Sequence, residues 1–179
     1  MIVPPESVAA RNIHSAPPAV MPVAALARTT LERLFGLHGL YVSWVAPDAA
    51  IPGSYLGDSE AGLIGSVLHL RPDTPVHSAL HEACHYLCMD EARRSALHTD
   101  AKGDDIEEAG VCYLQALLAS NLEGYSRARL FADMDAWGYS WRLGSALTWF
   151  EQDADDARRW LLAHGLIDDL NGVRFAGRV

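Results

Sequence analysis

The run His81-Glu82-Ala83-Cys84-His85, within residues 75–89, constrains this chain more than any other stretch. It reads H-E-x-x-H. Residues four apart share one face of an α-helix, so His81 and His85 can hold one metal ion together. Glu82 sits one position round, beside the open side of that ion. Two imidazoles and an adjacent carboxylate are what metal-assisted hydrolysis needs, with Glu82 as general base.

The setting of the run decides whether it can act this way. Asp73-Thr74-Pro75 reads as a helix start, a polar cap candidate followed by proline at the first helical position. Val76, Ala79, Leu80, Ala83, Cys84 and Leu87 then form an apolar stripe at helical spacing. The histidines are therefore expected on a partly buried helix.

The order of patterns predicts an α+β fold. A helix is expected over 23–37, a strand over 40–45, a short strand over 54–56 and a strand over 63–70. The motif helix follows, then a polar stretch to Gly103. Helices are predicted over 105–121, 122–137, 140–150 and 153–164. Residues 1–22 carry Pro4, Pro5, Pro17, Pro18 and Pro22 and read as a flexible lead-in to one domain over 23–179. The four tryptophans 137, 141, 149 and 160 are expected to pack in a helical core or over the site.

The chain has 179 residues and a formal net charge of −9. That charge argues against nucleic acid or an anionic membrane as a partner. No apolar run reaches the ~20 residues of a membrane span, and no secretory signal is read at the start. Cys84, Cys88 and Cys112 are too few and too irregular for a disulfide framework, which predicts reduced thiols and a cytoplasmic protein.

A catalytic zinc site takes a third protein ligand. The candidates are Glu107 and Glu108, at the start of the helix predicted over 105–121. Asp104-x-x-Glu107 also fits a capping box, in which Glu107 folds back on the helix start and Glu108 is left as the ligand. His98 lies in the polar connection as a further candidate, and His77 stands one turn before His81 as a supporting polar residue.

On these residues the chain resembles gluzincins, H-E-x-x-H peptidases whose third ligand is a downstream glutamate. Within them it is similar to the small ImmA/IrrE-like metallopeptidases. Their second-helix pattern E-x-x-A-x-x-F-A-x-x-L-L falls here on Glu107, Gly110, Tyr113, Leu114, Leu117 and Leu118. The H-E-x-C-H form, with Cys84, is also found in SprT-like metalloproteases, whose third ligand is a histidine. The resemblance implies a zincin-like domain holding one Zn2+ and a peptide or protein substrate. It also implies a sheet-edge strand before the motif helix, here 63–70, along which an extended peptide could lie. An oxyanion donor is expected among Tyr139, His98, Tyr125 and Tyr113. The alternatives are a zinc-stabilised binding or regulatory domain and a zinc hydrolase of a non-peptide amide.

Overall fold

The computed structural model describes residues 2–3, 20–55, 57, 59–101 and 103–174. It is α+β, with seven α-helices and a small mixed sheet among the described residues. Strand β1 (Ile2–Val3) pairs with β5 (Ser140–Trp141) in a separate two-stranded ribbon. The rest of the expected N-terminal lead-in, apart from residues 20–22, lies outside the described residues.

A 3-10 turn (Val23–Ala25) and helix α1 (Arg28–Gly36) replace the single helix expected there. Strand β2 (Tyr41–Trp44) follows, then β3 (Gly62–Ile64) and β4 (Val67–Leu70). The expected strand over 63–70 is thus a hairpin, turning at Gly65, whose φ is +54°. β4 lies in the centre, parallel to β2 and antiparallel to β3. Leu68 and Leu70 are fully buried while Val67 and His69 between and before them are half-buried, the alternation of a strand with one face on the core. Ser54 and Tyr55 of the expected short strand belong to no strand, and Leu56 is outside the described residues.

The outer side of β3 is occupied. Leu63 donates its N–H to Gly53 O, Thr99 donates to Leu63 O, and Gly65 donates to Leu97 O. His98 sits in this ladder opposite Ile64. The expectation of a free edge over 63–70 therefore fails, because main chain from two loops fills the hydrogen-bonding positions an added strand needs.

Helix α2 (Val76–Cys88) carries the H-E-x-x-H run. Its start differs from the expected cap. Pro75 is the N-cap and no side chain caps the helix; Asp73 is taken by Arg71, and Thr74 Oγ1 accepts from Arg71 N. The first helical N–H, that of Val76, instead donates to Met21 O, and Val23 and Ala24 donate to Thr74 O and Pro72 O. A strap from the N-terminal side thus does the capping that the local sequence leaves undone. The predicted apolar stripe of α2 is buried throughout, and each large member such as Leu80 contributes roughly 1.5–3 kcal/mol by leaving water.

A helix not read from the sequence, α3 (Glu91–Ala96), begins at Asp90, whose carboxylate accepts from Arg93 N. Arg94 donates to Tyr86 O and Leu87 O at the open end of α2. Helix α4 (Asp105–Ala119) packs against α2 on one side and α7 on the other. Helix α5 (Arg127–Trp137) starts later than expected, after Gly124 (φ +84°) and a Ser126 cap. Helices α6 (Ala146–Gln152) and α7 (Asp155–Ala163) complete the order. Gly110 allows α4 and α7 to meet: a Cβ there would stand 2.8 Å from the Trp160 ring.

Candidate metal centre

Three elements of sequence meet at one point between α2 and α4. His81 and His85 come from successive turns of α2, and Glu108 comes from the first turn of α4. The two histidine Nε2 atoms lie 3.1 Å apart. His81 Nε2 is 3.3 Å from Glu108 Oε1, and His85 Nε2 is 3.3 Å from Glu108 Oε2. A tetrahedral ion with bonds of about 2.0–2.1 Å would hold its ligand atoms roughly 3.3–3.4 Å apart. Each histidine nitrogen thus meets a different oxygen of the Glu108 carboxylate at about that spacing. Counted as one donor atom per residue, the three lie within 4.8 Å of one another, and among the described residues they are the one group of three or more His, Cys, Asp or Glu side chains that could hold a metal ion.

The electrostatics agree with the spacing. Burial, then His81 and Arg93, hold the His85 pKa well below its ordinary value, so its imidazole is neutral and offers a lone pair. Burial pushes Glu82 up to about 8, with the Glu60 and Glu108 carboxylates adding to it. A cation at the triad would offset that crowding of acids. Glu82 is half-buried on the turn between the two histidines, where its carboxylate feels that of Glu108.

The neighbouring acid has another role. Glu107 accepts two hydrogen bonds from the Arg93 guanidinium, at 2.8 and 2.9 Å, and Arg93 also donates to Ala101 O. Asp104 Oδ1 accepts from Glu107 N, which is the N-cap half of the capping box. Glu107 is therefore not brought to the histidines, although the resemblance favoured it as the ligand. On a helix adjacent residues diverge by about 100°, so only one of the two acids can face α2.

The other candidates are also distributed by the fold. His98 bonds Thr99 Oγ1 through Nδ1 and lies in the β3 ladder, apart from the triad. His77 is buried with its ring edge-on to Trp137 and Tyr139, at centroid distances of 5.1 and 6.0 Å. Tyr125 donates its hydroxyl to Asp133, and Tyr113 stacks on Phe150. Tyr139 alone among the four oxyanion candidates borders the triad, with its ring 6.0 Å from that of His81. Burial first, then Cys112, Glu108, Glu60 and Glu82, push its hydroxyl well above the ordinary range, which keeps it a donor. An aromatic row continues from Tyr139 to Trp141 and Trp149 at 5.9 and 4.9 Å.

The cysteines are free and buried, and burial pushes all three thiols up. Cys112 points at Glu108 Oε1, 3.9 Å away. Two further residues lie near the site. Glu60 acts on both Glu82 and Tyr139, and its loop is pinned to α2 where Ala61 N donates to Ser78 Oγ. Gln115, fully buried on α4, reaches α2 at His77 and His81. Glu60 lies in no motif and is brought near only by the fold, whereas Gln115, seven positions after Glu108, shares its face of α4.

Comparison with family models, with curated proteins and with solved structures finds no match to this chain. The fold and the triad therefore carry the functional argument themselves.

Proposed function

We propose that the protein is a cytoplasmic zinc-dependent peptidase of the gluzincin kind, with His81, His85 and Glu108 holding the ion and Glu82 as general base. The observation that carries this reading is the convergence of Glu108 on the H-E-x-x-H helix, with one carboxylate oxygen 3.3 Å from each histidine Nε2. Two imidazole nitrogens and one carboxylate suit zinc.

An ion held by His81, His85 and Glu108 would supply Lewis acidity to a substrate carbonyl and to water. Glu82 takes the proton of the attacking water and delivers it to the departing amine. Tyr139 donates its hydroxyl to the oxygen on which negative charge develops. Three free thiols and a net charge of −9 fit a reducing compartment and a peptide substrate, not a nucleic acid.

The test is metal content and peptide hydrolysis in parallel. Wild type is expected to hold one zinc ion per chain. Glu82→Gln is expected to keep the zinc and lose hydrolysis by roughly 10²–10⁴-fold, the usual contribution of a general base. His81→Ala is expected to lose both. Undiminished hydrolysis by Glu82→Gln overturns the mechanism.

The sheltered triad favours a second reading. Its side chains are only 12–16% exposed and join two core helices, which would suit a non-catalytic domain stabilised by zinc. That reading expects chelation to lower the melting temperature and expects no hydrolysis in any variant.

A further inference from the structure

We infer that Gln115 is a positioning residue for the metal centre: it fixes His81 as the Nδ1–H tautomer and so turns the Nε2 lone pair toward Glu108 and His85. This rests on reading the triad as a metal site.

The argument begins at a backbone carbonyl. Gln115 Nε2 donates to His77 O at 2.7 Å. A carbonyl can only accept, so the amide can face it only with its NH2 group. The Gln115 carbonyl oxygen must then point the other way, and it lies 3.4 Å from His81 Nδ1. An amide oxygen can only accept as well, so a hydrogen bond at this contact puts the proton on His81 Nδ1. In a neutral imidazole the other nitrogen is then bare. That nitrogen, Nε2, is the atom 3.3 Å from Glu108 and 3.1 Å from His85 Nε2.

The anchor is firm. Gln115 has no exposed surface. His77 and His81 lie four apart on α2, so the amide spans one helical turn and touches both its ends. His85 has no such partner among the described residues, where its buried Nδ1 makes no hydrogen bond. The two histidines are therefore unequal: His81 has an acceptor set at Nδ1, which competes for its proton with the Glu108 oxygen 3.3 Å from Nε2. The 3.4 Å contact is long for a hydrogen bond, so its effect belongs at the lower end for residues that orient metal ligands.

The experiment uses the full chain. In metal-free wild type at about pH 8, long-range 1H–15N NMR is expected to show His81 as the Nδ1–H tautomer. Gln115→Met keeps the size but cannot accept a hydrogen bond, and is expected to show a tautomer mixture. Its zinc affinity, measured against a competing chelator, is expected to fall by roughly 10-fold within the 10–100-fold range for such residues. Gln115→Glu keeps an acceptor for His81 Nδ1 but loses the donor to His77 O, and is expected to restore the tautomer with only part of the affinity. His81 as Nε2–H in metal-free wild type overturns the inference without any variant. So does unchanged affinity in Gln115→Met, or equal loss in both variants, which would mark a packing role. Failure of wild type to bind zinc instead overturns the metal reading, and the tautomer result separates the two.

Discussion

Glu107 and Glu108 are adjacent, share charge and size, and do different work. Glu107 is locked to Arg93 and to the start of α4, and Glu108 faces the histidines of α2. Their removal should therefore separate. Glu107→Ala is expected to leave zinc binding intact and to destabilise by roughly 1–2 kcal/mol, between the values for exposed and buried ion pairs. Glu108→Ala is expected to weaken zinc binding by more than the roughly 10–100-fold that loss of an outer hydrogen bond costs. Calorimetric titration with zinc and urea unfolding check both. Zinc binding lost in Glu107→Ala but kept in Glu108→Ala would reverse the assignment.

Among the elements, α2 and α4 supply the ligands, and two others hold them in place. α3 ties the end of α2 through Arg94 and the start of α4 through Arg93. β3 holds the loop that carries Glu60, and it depends on Gly62. A Cβ at Gly62 would stand 1.9 Å from Pro52 O and 2.7 Å from Ser54 N, which are backbone atoms with little room to give. Gly62→Ala is expected to cost at least about 1–3 kcal/mol, the range for overpacking. At this chain length that lowers the melting temperature by roughly 2–4 °C per kcal/mol. An unchanged melting temperature would show that the loop and β3 do not meet so closely.

For the molecule as a whole, acid should act through buried imidazoles as well as through the site. His38 is 2% exposed, and burial lowers its pKa. The folded chain thus resists protonating it, while the unfolded chain takes up a proton near pH 6.5. Stability is full above about pH 6.5 and falls as pH drops below it, by at most roughly 1.4 kcal/mol per pH unit for one group. Half-buried His69 is shifted the same way for the same cause. Urea unfolding between about pH 7 and pH 5 is expected to show this fall, with a shallower slope in His38→Gln. Equal slopes in the two proteins would remove His38 from the account.

Local rules made part of this chain legible. The spacing of Leu80, Ala83, Cys84 and Leu87 marked α2 and put His81 and His85 on one face, because helical period depends only on neighbours a turn away. The Asp104 cap and the α+β order were readable for the same reason. Other features depend on residues far apart in the chain. Met21 caps α2 from more than fifty positions away, residues 97–99 close the edge of β3, and Arg93 withdraws Glu107 from the site. Gln115 reaches His77 across 38 positions. Each is a contact between segments that meet only once the chain has folded. The histidine pair could be named from the sequence, whereas the third donor, and the amide that aims His81 at it, were decided by tertiary packing.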